Sequence, residues 1–206
     1  MRARLSPAWA DAASGDDSPV ALLLHGYGSN EDDLPGLAPW LPDGLAWASL
    51  RAPIDMGGGG ATWFPFTLPD EPEQAPIDAV TEALWEWVET HVPPNAPIVP
   101  LGFSQGGLMA LQLLRTRPGR VAATVVLSGL VTTSAQPADA ELETLRPPLF
   151  WGRGDADPLI WPEAVERLGA WLAGHATPTI RVYPGLGHGV GDHELDDMRA
   201  FLAEHV

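Results

Sequence analysis

The chain has 206 residues, 45% of them hydrophobic, with a formal net charge of −16. That length and apolar content suffice for one full core and point to a single domain over 1–206. The charge, with all 11 basic residues being arginine, argues against nucleic acid and anionic membrane surfaces as partners, because both would repel it.

There is no cysteine, so disulfides, a thiolate nucleophile and Cys-based metal sites are excluded. The two early arginines are followed by no apolar stretch of signal-peptide length, and no later run approaches a membrane span. The expected location is the cytoplasm, with no membrane insertion.

In chain order, a short edge strand is expected near Arg2 to Ala8, followed by a polar loop over 11–19. Val20-Ala-Leu-Leu-Leu-His-Gly is a continuous apolar run closed by glycine, the pattern of a strand buried on both faces of a parallel sheet. After it comes a Gly-containing loop, Tyr27 to Leu34, with Ser29 and Asn30 as candidate N-caps. His25 ends the strand and reads as a residue that fixes this loop by hydrogen bonding rather than as a catalytic group.

Leu45 to Pro53 reads as a second strand, ended by the proline. Asp55 to Pro69 shows neither helix nor strand period. Its four consecutive glycines, followed by Trp63, Phe64 and Phe66, suggest a flexible loop whose aromatics either line an apolar substrate site or anchor the loop to the core. Glu73 to His91 is a helix by period, with Ile77, Val80, Leu84, Trp87 and Val88 on one face, stopped by Pro93 and Pro94.

Ile98 to Phe103 is another apolar run. It ends in Gly102-Phe103-Ser104-Gln105-Gly106, and a largely apolar helix, Leu108 to Arg117, follows at once. That is the strand, sharp turn and helix of a nucleophile elbow. The glycines two before and two after the serine let strand and helix pass closely, while the turn forces Ser104 into a strained conformation. The start of the helix leaves the backbone N–H of Gln105 ready for an oxyanion.

Val121 to Gly129 and Pro148 to Gly152 read as further strands, with a short helix around Ala140 to Leu145 between them. Helix Pro162 to Leu172, a strand over Thr179 to Pro184, the loop Gly185-Leu-Gly-His-Gly-Val and a last amphipathic helix from about His193 to Glu204 complete the chain. Strands and helices alternate throughout. The expected fold is a doubly wound, mostly parallel sheet of six to seven strands with helices on both faces.

In such sheets, function gathers at the carboxyl ends of the strands. A serine hydroxyl needs a base poised near neutrality, and the base needs a carboxylate to hold its tautomer. Of the six histidines, only His188 sits in a glycine-flanked loop directly after a strand, which makes it the expected base. Asp155 and Asp157 compete as the acid. Asp157 is preferred, because Asp155 also reads as a turn residue bonding its own backbone. The order Ser, Asp, His is that of an α/β-hydrolase, whose second oxyanion donor comes from the loop after an early strand; the backbone N–H of Tyr27 is the best candidate.

Gly102-Phe103-Ser104-Gln105-Gly106-Gly107, Leu24-His25-Gly26-Tyr27-Gly28, Arg51-Ala52-Pro53 with Trp63-Phe64, Asp157-Pro158-Leu159-Ile160 and Gly187-His188-Gly189 together resemble the phospholipase/carboxylesterase family. These small α/β-hydrolases include bacterial carboxylesterases and acyl-protein thioesterases, and the likeness spans nearly the whole chain. The resemblance implies Ser104 as nucleophile, His188 as base, Asp157 over Asp155 as acid, and Tyr27 and Gln105 as oxyanion donors. It further implies no large cap domain and a substrate pocket near Trp63, Phe64, Leu130 and Leu159. A serine mechanism of this kind requires no metal or cofactor, and relatives often pair as homodimers.

Thioesterase members usually carry an acidic residue after the Trp-Phe pair, where this chain has Pro65. The expected activity is therefore hydrolysis of short- to medium-chain esters, ahead of acyl thioesterase or lysophospholipase action, with a non-catalytic binding protein as the remote alternative. A lactone hydrolase with a cysteine nucleophile is ruled out by composition.

Overall fold

The computed structural model describes residues 1–12, 15, 17–67 and 70–206; parts of two expected loops, at 13, 14 and 16 and at 68 and 69, lie outside the described residues. A short strand β1 (Ala3–Leu5) and a single helical turn α1 (Trp9–Ala12) lead to β2 (Val20–Leu24). All five residues of β2 are buried, as an apolar run without alternation requires when both faces are covered. A 3-10 helix over Leu34–Trp40 follows, its Pro35 and Pro39 withholding the N–H groups an α-helix would need. Next come β3 (Ala46–Leu50), β4 (Ile54–Gly57), β5 (Gly60–Thr62) and helix α2 (Gln74–His91).

The remaining elements are β6 (Ile98–Phe103), α3 (Gln105–Thr116), a 3-10 turn (Pro118–Arg120), β7 (Thr124–Leu127), α4 (Asp139–Leu145), β8 (Pro148–Gly154), α5 (Pro162–His175), β9 (Thr177–Tyr183) and α6 (Asp192–His205). Seven strands form one sheet in the order β1-β3-β2-β6-β7-β8-β9. Only β1 runs antiparallel. This is the mostly parallel, doubly wound sheet of an α/β-hydrolase.

The period-two geometry of strands divides the core between the two faces. Val20, Leu22 and Leu24 of β2 pack with Ile77, Leu84, Leu108 and Leu168 on the α2, α3 and α5 side. Ala21 and Leu23 face the opposite side with Leu34, Leu195, Met198 and Phe201. Helix α3 is central, with every residue from Gln105 to Arg115 buried.

Two helices end in the same device. The Nδ1 atoms of His91 and His175 bond the carbonyls of Trp87 and Trp171, one turn earlier, at 2.8 and 2.7 Å. Each ring stacks on that tryptophan, at 4.4 and 4.7 Å between centroids. His175 thus belongs to the last turn of α5, which runs past the expected end at Leu172.

The glycine run is not a flexible loop. β4 and β5 form a separate antiparallel hairpin, and Gly57, Gly58 and Gly59 turn its tip at φ of 77°, 60° and 91°. Three successive positive φ values are open to glycine alone at low cost, so the hairpin's signal is conformational and its strands carry no period. The tip is pinned: the Arg51 guanidinium donates to Gly59 O at 2.8 Å and to Gly60 O at 3.3 Å. No helix among the described residues is long and apolar enough to cross a membrane.

Candidate active site

Ser104 stands between β6 and α3 at φ 56° and ψ −115°, a region a side chain occupies only when its surroundings compel it. The compulsion is steric. A Cβ on Gly102 would lie 2.6 Å from Gly107 N and overlap the Gly106 carbonyl. One on Gly106 would lie 2.6 Å from His25 O and overlap the Leu24 carbonyl. Helix α3 then begins at Gln105. Gly107 N–H and Leu108 N–H bond back to Ser104 O, at 2.9 and 3.2 Å, whereas the first N–H groups of a helix have no acceptor within it.

His188 lies in the loop between β9 and α6. Its Nε2 is 2.9 Å from Ser104 Oγ and its Nδ1 is 2.7 Å from Asp157 Oδ2. With the Nδ1–H donated to the carboxylate, the Nε2 lone pair faces the serine hydroxyl. The other oxygen of Asp157 accepts the backbone N–H of Leu159 at 2.8 Å and of Ile160 at 3.2 Å, which fixes the carboxylate's rotation. Histidine and aspartate side chains are only 13% and 6% exposed, so water competes weakly for their bond. The Phe103 ring packs on His188 at 4.9 Å.

A cavity of about 330 Å³ opens in front of this chain of bonds. Gly26, Tyr27, Gln105, Leu159 and His188 line it with Ser104, as do Phe66, Phe103, Ile160, Ser29 and Asp33. The expected pocket residues therefore divide. Leu159 faces the cavity, but Trp63, Phe64 and Leu130 are 0%, 1% and 1% exposed and belong to the core. The sequence expectation put those three beside the pocket; the aromatic pair instead anchors its segment, and Phe66 is the aromatic that lines the cavity.

The anchor itself was not visible in the sequence. The Gln105 side chain, 1% exposed, accepts the Trp63 backbone N–H at 3.0 Å and donates to Phe64 O at 2.9 Å. The Thr62 hydroxyl is shared between Phe64 O at 2.8 Å and Gln105 Oε1 at 3.0 Å. One residue of the elbow thus also sets the wall that leads to Phe66.

Asp155 is placed outside the serine–histidine chain, and its carboxylate reaches across to another loop. Its Oδ1 accepts Gly185 N–H at 2.7 Å, and Ala156 N–H bonds Leu186 O at 3.1 Å, tying the acid's loop to the histidine's. At the far end of that loop, the fully buried Glu194 points its carboxyl at Gly191 N–H, 3.4 Å away. Burial pushes Glu194 up to about 7. No feature of the sequence set it apart from other acids of a first helical turn.

The family model of phospholipases and carboxylesterases matches residues 10–206. The chain belongs to that family. It is a serine hydrolase of the carboxylesterase type. Among relatives, it is 26% identical over 224 residues to acyl-protein thioesterase 1 of Cryptococcus neoformans, covering 90% of this chain and 91% of that one. It is 30% identical over 207 residues to the carboxylesterase SOBER1 of Arabidopsis thaliana, covering 90% of each. Its fold superposes on the Bacillus cereus carboxylesterase with a TM-score of 0.82 at 22% identity, over 100% of this chain and 95% of that one.

Proposed function

We propose that this family member is a carboxylesterase that cleaves short- to medium-chain esters through an acyl-enzyme on Ser104. The observation that carries the reading is the unbroken bond chain from Ser104 Oγ through His188 to Asp157, opening on one largely apolar cavity.

Ser104 Oγ attacks the ester carbonyl as His188 Nε2 takes its proton, and the imidazolium formed is held by Asp157. The carbonyl oxygen becomes an oxyanion that accepts the N–H groups of Tyr27 and Gln105. Collapse of the tetrahedral intermediate expels the alcohol, which receives the proton from His188. Water, activated by the same histidine, then repeats the sequence to release the acid and free Ser104.

A volume of about 330 Å³ lies at the low end for small-molecule sites, which suits a short acyl group with a small alcohol better than a palmitoyl chain. Thioester hydrolysis would use the same steps, and relatives named acyl-protein thioesterase keep it as the second reading. Turnover of p-nitrophenyl esters from acetate to palmitate, beside matched thioesters, tests the choice. A maximum at short to medium esters is expected; a maximum at long-chain thioesters would transfer the assignment to the second reading.

A further inference from the structure

His25 directly follows β2 with no exposed surface, and burial pushes its imidazole below the usual histidine value by disfavouring the charged form. Its tautomer follows from its neighbours. Nε2 lies 3.1 Å from the backbone N–H of Ala52, which can only donate, so Nε2 carries the lone pair and the proton sits on Nδ1. That Nδ1–H donates to Gly26 O at 2.8 Å.

The Gly26 carbonyl and the Tyr27 N–H are the two ends of a single trans peptide plane and point in opposite directions. Fixing the carbonyl fixes the N–H. Gly26 has no Cβ to restrict its rotation, and Gly28 two residues on adopts φ 76°, so this plane needs an outside hold. The preceding carbonyl, His25 O, is held as well: the Trp63 indole N–H donates to it at 2.8 Å, with the two rings tilted at 5.2 Å. Beyond the plane, Gly28 N–H bonds Ala61 O at 2.9 Å and Ala61 N–H bonds Ser29 O at 2.7 Å. Gly60 permits that approach, since a Cβ there would lie 2.5 Å from Gly28 O.

We infer that His25 is a positioning residue for the reaction: through the Gly26 carbonyl it aims the Tyr27 N–H at the developing oxyanion. Trp63, itself held by the Gln105 side chain, completes the hold. The inference rests on the reading of Ser104 as nucleophile. A donor aimed before the reaction stabilises charge that exists only in the transition state, so its loss falls on kcat and spares KM.

The test compares His25→Ala, His25→Asn and His25→Gln in steady-state turnover of a p-nitrophenyl ester. Affinity for an alkyl boronic acid, which forms a tetrahedral adduct with the serine, is read alongside. The asparagine amide nitrogen falls near the position of Nδ1 and can donate to Gly26 O; the glutamine amide reaches toward Nε2 instead. His25→Ala is expected to lower kcat about 10- to 100-fold with KM changed less than about threefold, boronate affinity falling in parallel. His25→Asn should restore most of the loss, and His25→Gln little of it.

Folded His25→Ala with unchanged kcat, a loss confined to KM, or equal losses in the asparagine and glutamine variants would overturn the inference. If His25→Ala does not fold, Trp63→Phe, which removes the indole N–H together with part of the buried ring, must show the same split between kcat and KM. Ser104→Ala separates the two levels. Retained turnover in that variant defeats the reading of Ser104 as nucleophile, whereas an inactive Ser104→Ala beside a fully active His25→Ala defeats this inference alone.

Discussion

Replacing Glu194 by glutamine should stabilise the protein in alkali and do little in acid. The carboxyl is 0% exposed and packs against the bare Cα of Gly152. Its Oε1 has no hydrogen-bond partner among the described residues, and its Oε2 meets Gly191 N–H only at 3.4 Å. Burial without a cation favours the neutral acid, raising the group from 4.5 to about 7 in the folded state. The unfolded chain ionises it near the ordinary value.

Because the folded value is the higher one, folding is unpenalised below the unfolded value and loses stability as pH rises through about 7. At about 1.4 kcal/mol per unit, the penalty grows from about 1 kcal/mol near pH 5 to about 3 kcal/mol near pH 8.5. Glutamine, which cannot ionise, escapes it. Urea unfolding of both proteins at the two pH values gives the comparison, and the difference between them cancels every other titrating group. The stability gap should shift by about 2 kcal/mol in favour of Glu194→Gln between acid and alkali; a gap that does not change with pH would refute the reasoning.

Three further outcomes follow from particular contacts. Gly106→Ala would drive a Cβ into the Leu24 carbonyl and should cost about 3 kcal/mol or more, read as a lowered urea midpoint or failure to fold. Asp139→Ala would strip the carboxylate from Arg115, which is 2% exposed and bonded to it at 2.9 and 2.7 Å. A loss of about 3–5 kcal/mol in chemical denaturation is expected, much of it recovered by adding Arg115→Leu. Phe66→Ala enlarges the cavity from its lining side and should move the ester-length optimum toward longer acyl chains without loss of stability beyond about 2 kcal/mol.

What the sequence disclosed depended on the range of the physics involved. β2, β3, β6, β7 and β8 are buried on both faces and announce themselves as apolar runs, and the glycines around Ser104 announce a close crossing. The juxtaposition of Ser104, Asp157 and His188 was legible because each sits on a short loop after a strand of one sheet. Side-chain destinations were not. Trp63 and Phe66 are three residues apart in a segment without period, and it is the buried Gln105 amide and the bond from the Trp63 indole to His25 O that hold the first in the core while the second faces the cavity.

Arg115 reads in sequence as a charge at a helix end, yet Asp139 and Ser134 O draw it inward beneath Trp171. The β4–β5 hairpin was missed because its signal is three left-handed glycines, not alternation. The contacts of Trp63 and Arg115, by contrast, depend on partners far along the chain, and local pattern carries no record of them.

The most direct test of the central claim is mapping a fluorophosphonate label by mass spectrometry on wild-type protein, with turnover measured on wild type and on Ser104→Ala. The bond chain from Ser104 through His188 to Asp157 predicts modification at Ser104 and, in the folded alanine variant, a fall in kcat of about three orders of magnitude or more. A label on another residue, or near-normal turnover without the Ser104 hydroxyl, would contradict it.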